Sequence, residues 1–307
     1  MYKNKKIGAI VIARQGSSRL PGKALKKIVN KSIIELIIER LRNINLIDEI
    51  IIATSDLRID DPIEDEARKL NVKYFRGDAE NVLNRLYMAA KSFDIDIVYE
   101  IGGDCPIVDE EIFLKGYKLF LSGGYDFVHN FSPTTYPDGL DCPILTFKCL
   151  KKMNDNAILQ SHKIHPFSYI FTYPEKFLFK EFTSKIDYSY IRLTLDYNED
   201  LLFLKYIYEN LYYKKFNFSL KEIVNLIKKD KKVLKMNCQY IQPSSPEGYW
   251  NTLAYIKDLH EDIKDLIDQG HQASQNKNNK NAKDLYNEVI NLVKKLKSRV
   301  EHFDKNR

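Results

Sequence analysis

The sequence predicts an α/β protein in which a mostly parallel sheet is sandwiched by helices and followed by a C-terminal helical extension. Three observations predict it. Short apolar segments at 6–12, 49–54, 72–75, 97–101 and 127–129 read as strands, and helical stretches separate most of them. Polar turns follow the first, second and fourth of these strands, where ligands of parallel sheets collect. Past residue 220 only helical periodicity remains.

The elements follow in order. Residues 32–42 place Ile33, Ile34, Leu36, Ile37, Ile38 and Leu41 on a helix broad enough to pack on a sheet. Segments 64–70 and 79–93 read as further helices, the second covering Val82, Leu83, Leu86 and Ala90, and another helix starts near Asp109. Later helices are expected at 220–233, 255–269 and 284–302, the last with Leu285, Val289, Leu292, Val293, Leu296 and Val300 on one stripe. Residues 272–281 are polar and low in complexity, which predicts a mobile linker near 270–282. The chain therefore divides into a domain over 1–235 and a helical extension over 236–307. The terminal stripe needs a partner surface, either the body of the protein or a second copy in a homodimer.

Composition narrows the function classes. A chain of 307 residues with 44% hydrophobic content can bury a full core. Its net charge of +6 comes from 48 basic against 42 acidic residues, and clusters such as 228–232 are interrupted by acids. That pattern argues against a nucleic-acid partner and suits small anionic ligands. No apolar run approaches the ~20 residues that cross a bilayer, and residues 1–6 lead into no signal-peptide core, so a cytoplasmic protein without a membrane partner is expected. Cys105, Cys142, Cys149 and Cys238 are too few and scattered for a disulfide framework or zinc site and are expected as free thiols.

The loop at 13–23 carries the strongest chemical signal. Arg14, Arg19 and Lys23 are spaced by five and four residues, and the amides of Gly16, Ser17 and Ser18 can converge on a phosphate that the guanidinium groups grip. It matches neither the G-x-x-x-x-G-K-[S/T] loop nor G-x-G-x-x-G, and the plain alternative is a solvated turn. At the next strand ends lie Thr54, Ser55 and Asp56, then Gly102, Gly103 and Asp104. Asp104 suits Mg²⁺ between phosphates or, equally, a cap for the helix near Asp109. Mg²⁺ needs a second carboxylate, and Asp196 in the segment 192–200 supplies it. Its alternative is helix capping, the role assigned to Glu199 and Asp200.

The loop resembles the A-R-x-x-S-x-R-L-P-x-K signature of cytidylyltransferases that activate acidic sugars, in particular the spore-coat polysaccharide biosynthesis type, whose A-R-M-G-S-T-R-L-P-G-K differs at Gln15 and Ser18. The resemblance covers about 7–210. It implies a Rossmann-like sheet of the nucleotide-diphospho-sugar transferase type and a loop, with Ala13, Arg14, Gly16, Ser17, Arg19 and Lys23, that wraps the triphosphate of CTP. Thr54, Asp56 and Gly103 join the nucleotide site. Arg76 and Arg85 match F-R-G-S-E-E-D-V-L-D-R and reach phosphate or base. Asp104 in G-D-x-P-L and Asp196 in R-x-T-L-D-T-P-E-D become metal ligands and, with Arg14 and Lys23, the catalytic set. Asp138 and Asp141 in Y-P-D-G-L-D face the acceptor. The family's H-V-T-P is altered here, so His162 and His165 are both candidates for the acceptor-site role, with a structural role for each as the alternative.

The implied activity is transfer of CMP from CTP to a sugar, an acidic one such as a nonulosonic acid, with release of pyrophosphate and Mg²⁺ as cofactor, in surface polysaccharide or glycoconjugate synthesis. A nucleotide-sugar-dependent glycosyltransferase is the alternative of the same broad fold, but Gly103, Asp104 and Cys105 lack the second acid of D-x-D. A non-catalytic nucleotide-binding scaffold, working through its C-terminal helices, is the alternative from another class.

Overall fold

The computed structural model describes residues 5–240, 253–276 and 278–305. The chain opens with β1 (Ile7–Ile12) and a short hairpin of β2 (Lys27–Ile28) and β3 (Lys31–Ser32), which leads into α1 (Ile33–Arg42). Then come β4 (Glu49–Ser55), α2 (Asp61–Lys69), β5 (Lys73–Gly77), α3 (Val82–Ser92), β6 (Ile97–Gly102) and α4 (Glu110–Gly123). After β7 (Phe127–His129) and β8 (Ile144–Thr146) follow α5 (Phe147–Asn156), the short α6 (Gln160–Ile164) and α7 (Ser168–Thr172), and β9 (Phe179–Glu181). The remainder is α8 (Asn198–Leu211), α9 (Leu220–Lys229), α10 (Leu253–Gln275) and α11 (Asn279–Lys305).

Seven strands form one sheet in the order β5-β4-β1-β6-β8-β7-β9. Only β8 runs against the others. β1 lies inside, with Ile10 opposite Ile51 of β4 and Glu100 of β6. The side-chain alternation of a strand then splits the core: Ala9 and Val11 join one apolar cluster, under α1, α4, α8 and α9, while Ile10 joins the other, under α3, α5 and α7. Both faces of a mostly parallel sheet are covered, as the alternating pattern requires.

Side chains set several helix starts. Ser32 accepts from Glu35 N–H at 3.0 Å to cap α1. The helix expected from residue 79 begins only at Val82, because Asp78 Oδ1 takes the amides of Glu80 and Asn81 (2.8 and 3.0 Å) and Asn81 caps the helix through Asn84 N–H. β8 and β9 have three residues each, too few to show a period in the sequence. The segment 192–196, which holds Asp196, is not part of the sheet. That segment runs across the strand ends instead, with Leu193 N–H donating to Asp138 O (2.7 Å) and Leu195 N–H to Asp104 O (2.9 Å).

The polar stretch expected as a mobile linker is helical on both sides of a short turn. α10 continues to Gln275 and α11 begins at Asn279, with Lys277 outside the described residues. The resulting hairpin packs on its own chain. Leu259, Ile263, Leu266 and Leu292 are buried in the second apolar cluster, and Leu285, Val289 and Leu296 pack against it; Val293 is exposed, and the side chain of Val300 lies outside those described. Polar anchors fix the contact: Ser161 Oγ donates to Asp262 at 2.5 Å, Tyr173 OH to Glu288, and Lys295 Nζ to Thr172 O. The first part of the predicted extension, 241–252, lies outside the described residues. Among those described, no helix is long and apolar enough to cross a membrane.

Candidate active site

Three strand ends are tied together beneath the cationic loop. Ala13 N–H donates to Ala53 O at 3.2 Å and Gly103 N–H to Ile12 O at 2.8 Å. A Cβ on Gly103 would lie 2.7 Å from Ala13 Cβ and 2.8 Å from Ile12 O, so only glycine allows this approach. The loop folds around Gln15, whose carbonyl accepts from Ser17 N–H (2.8 Å) and Gly22 N–H (3.1 Å) and whose own amide donates to the buried Asp60 (2.6 Å). Of the three amides expected to converge on an anion, that of Ser17 is therefore spent inside the loop. The amides of Gly16 and Ser18 make no backbone hydrogen bond among the described residues.

Two carboxylates from distant parts of the chain meet on one ammonium. Lys23 Nζ lies 2.5 Å from Asp104 Oδ2 and 2.8 Å from Asp196 Oδ1. Arg19 Nη2 reaches the same Asp196 oxygen at 2.6 Å, and Arg192 Nη2 reaches the other at 2.7 Å. Burial alone would raise the Asp196 pKa, but Lys23, Arg19 and Arg192 outweigh it and hold the carboxyl at about 2. Arg192 is buried and also binds Asp138 through Nη1 and Asp200 through Nε at 3.0 Å.

The capping alternatives are settled by which oxygens reach which amides. Asp109 caps α4, accepting from Glu111 and Ile112, which leaves Asp104 free of that duty. Asp200 accepts from the amides of Asp196 and Tyr197 (2.9 and 3.0 Å) at the start of α8, so it takes the capping role and Asp196 does not. The pair Asp104 and Asp196 fits Mg²⁺: two hard oxygen donors converge on one point, where the cation they hold is Lys23.

Two cavities adjoin at this cluster. One, of about 320 Å³, is lined by Ala13, Arg14, Ser17, Arg19, Lys23, Arg85 and Gly103. The other, of about 420 Å³, is lined by Glu100, Cys105, Asp138, Asp141, Phe131 and Thr194 among others. Asp104 and His165 line both. Withdrawal from solvent raises the Glu100 pKa to about 8, with Asp141 and Asp104 adding repulsion. Asp141 is an exposed residue at the wall of this cavity; desolvation there, with Asp138 and Asp104 nearby, brings it to about 7. For Asp138, burial dominates over Arg192 and leaves it at about 6.

Comparison with known proteins decides the family. A family model described as cytidylyltransferase matches residues 8–261. The chain belongs to the cytidylyltransferase family. An uncharacterized protein of Methanocaldococcus jannaschii is 31% identical over 244 residues, 79% of this chain and 98% of that one. The spore coat polysaccharide biosynthesis protein SpsF of Bacillus subtilis is 27% identical over 207 residues, 65% of this chain and 85% of its own. A solved cytidylyltransferase from Leptospira borgpetersenii superposes with a TM-score of 0.71 at 33% identity, covering 75% of this chain and 97% of the other.

Within this cytidylyltransferase, which is a nucleotidyltransferase by family, the expected residues divide into two groups. Arg14, Arg19, Lys23, Gly103 and Asp104 gather with the buried Arg85 around the smaller cavity, and Asp138 and Asp141 line the larger one. Four others stand apart. Thr54 is buried within β4 and Asp56 is exposed beyond it; neither lines either cavity. Arg76 turns to α2, binding Asp61 (2.6 Å), Glu64 (2.9 Å) and the carbonyls of Ser55 and Leu57. His162 is wholly buried between Tyr169 and Tyr173, with Nε2 at 3.2 Å from Thr172 Oγ1, whereas His165 reaches the cavities.

Sequence inspection missed Arg192, although it opens the segment that holds Asp196. It also missed the stack of Tyr197 on Tyr240, centroids 3.7 Å apart, over which Arg19 lies at 5.5 Å. Glu100 was read only as a strand residue. Nothing local distinguishes it, since its importance comes from the cavity opposite β6.

Proposed function

We propose that the protein transfers CMP from CTP to a hydroxyl of a small sugar and releases pyrophosphate. The observation that carries this is the pair of adjoining cavities, one walled by the loop cations and one by acceptor-sized polar and apolar groups, meeting at Asp104 and His165. The nucleotide takes the first and the sugar the second. An acceptor oxygen then lies beside the α-phosphorus, and direct in-line attack needs no covalent enzyme intermediate.

The residues act mainly by charge and position. A triphosphate entering beside Lys23 and Arg19 offers them anionic oxygens that compete with Asp104 and Asp196. The two carboxylates are thereby freed toward a divalent cation. Mg²⁺ held there would polarise the α-phosphate and offset charge on the leaving group. Arg14, Arg19 and Lys23 neutralise the developing pyrophosphate. Burial lowers the His165 pKa against the opposing pull of Asp258 and Asp262, which favours a neutral imidazole able to hydrogen-bond the acceptor hydroxyl.

Surface-polysaccharide synthesis is the use we infer, because the B. subtilis relative bears that name, and CTP as donor places the reaction in the cytoplasm. The resemblance implied an acidic sugar as acceptor. Pyrophosphate release measured with each of the four nucleoside triphosphates, Mg²⁺ and a sugar panel tests the proposal. CTP alone should support turnover, and Asp104→Ala should reduce it by about 10² or more. Turnover with another triphosphate, or an active Asp104→Ala protein, would refute it.

A further inference from the structure

We propose that Tyr197 and Tyr240 form a stacked platform that positions Arg19 for the triphosphate of the donor nucleotide. This rests on the proposed function, which brings that triphosphate to the loop cations. Tyr197 stands where the family pattern has threonine, directly after Asp196. Its ring is stacked on that of Tyr240, with centroids 3.7 Å apart and planes 8° from parallel, which leaves no room for a third group between them. The guanidinium carbon of Arg19 lies over the Tyr197 ring, 5.5 Å from its centre. That is within the range in which a cation is drawn to an aromatic face.

Both rings are held from behind. Tyr197 N–H donates to Asp200 at 3.0 Å, at the start of α8. Tyr240 closes the short turn Cys238–Tyr240, and its N–H donates to Asn237 O at 3.1 Å. The side chain of the buried Asn237 donates in turn to Arg192 O at 3.1 Å and to Asp200 at 2.9 Å. Two segments distant in the chain thus share Asp200 as an anchor. Since Asp200 also holds the amide of Asp196, the platform is fixed relative to that residue too.

Arg19 needs a platform because its other hold is temporary. Its side chain is 54% exposed, and its ion pair is with Asp196 at 2.6 Å. In the proposed reaction the triphosphate competes for this guanidinium while Asp196 turns to a divalent cation, so the ion pair is lost when the nucleotide binds. The contact with the ring is not. A neutral aromatic face offers nothing for which phosphate or metal competes, and it keeps the guanidinium near its resting place. The entropy lost on fixing a long, exposed side chain against a ligand is thereby reduced. Lys23 is the contrast: its side chain is largely buried between Asp104 and Asp196 and is positioned by its surroundings.

The test is calorimetric binding of CTP and of CMP, each with Mg²⁺, to the full chain and to Tyr197→Leu, Tyr240→Ala, Tyr240→Phe and Arg19→Ala. CMP lacks the phosphates that Arg19 is held ready for. Tyr197→Leu and Tyr240→Ala should each weaken CTP about two- to fivefold and leave CMP unchanged. Tyr240→Phe keeps the stack and should bind CTP as the wild type does. Added to Arg19→Ala, Tyr197→Leu should weaken CTP no further, because it acts through that side chain. Equal weakening of CTP and CMP, full additivity with Arg19→Ala, or a lower melting temperature with CTP affinity intact in Tyr197→Leu overturns the proposal and leaves the stack a purely structural contact. A wild-type protein that binds no CTP would overturn the proposed function, and this inference with it.

Discussion

At the scale of single residues, two histidines only three positions apart receive opposite fates. His162 and His165 would share a helix face if α6 continued, but α6 ends at Ile164 and His165 takes an extended conformation (φ −111°, ψ 94°). His162 therefore points into the aromatic core and His165 toward the cavities. We expect His165→Ala to lower turnover by about 10² with an unchanged melting temperature. His162→Ala should instead lose about 2 kcal/mol of stability while the folded enzyme keeps its turnover number. Thermal denaturation alongside pyrophosphate release separates the two, and a swap of these outcomes would reverse their assignment. The sequence presented both histidines as equals because their difference lies in where a short helix stops.

At the scale of elements, α10 braces the segment that delivers His165. Asp262 accepts from both Ser161 Oγ (2.5 Å) and Ser161 N–H (3.3 Å) at the start of α6. Asp262→Ala removes this cap, with an expected loss of about 1–2 kcal/mol in urea unfolding. It should also raise the KM for the acceptor several-fold and leave that for CTP alone; equal effects on both would argue against a local brace. A chain ending at Gly270 lacks α11 and so uncovers part of the second apolar cluster. It should melt earlier yet keep the full chain's number of copies in light scattering, since the stripe of α11 is largely spent within its own chain. A change in copy number would restore the homodimer, the other partner the stripe allowed. That stripe was legible from its period, but a period names no partner.

For the whole molecule, buried ionisable groups of opposite kind set the pH dependence of stability. Burial pushes His129 and His162 down to about 3, and both are wholly enclosed. Their unfolded pKa is near 6.5, so stability from keeping them neutral is full above that pH. It is lost as pH falls toward 3, at about 1.4 kcal/mol per pH unit for each. Glu100 and Asp141 act in the other sense. Their folded values, about 8 and 7, exceed the ordinary carboxyl range, so their contribution is full in acid and lost as pH rises through 7 to 8. Between roughly pH 4.5 and 6.5 the two carboxyls bind protons only when folded and the two histidines only when unfolded, and the slopes nearly cancel. Urea unfolding across pH 3–9 should therefore show greatest stability near pH 5–6. His129→Phe should flatten the acid limb and Glu100→Gln the alkaline one; unaltered limbs would place the titrating groups elsewhere.

What the sequence by itself determined is local in origin. Strand and helix periods arise within about ten residues, and so does the spacing of Arg14, Arg19 and Lys23 around Gly16 and Ser17. These predicted the layered sheet, and the motif resemblance named the family that the comparisons then established. Tertiary structure alone decided the rest, because it depends on contacts that no local pattern encodes. It brought Asp196 beside Asp104 through Lys23, turned Arg76 away to α2, and made Arg192 the centre of three carboxylates. It also set the charge of the acceptor cavity, which is a sum over side chains from β6 and the segment around Gly139 that meet only when the sheet closes over them.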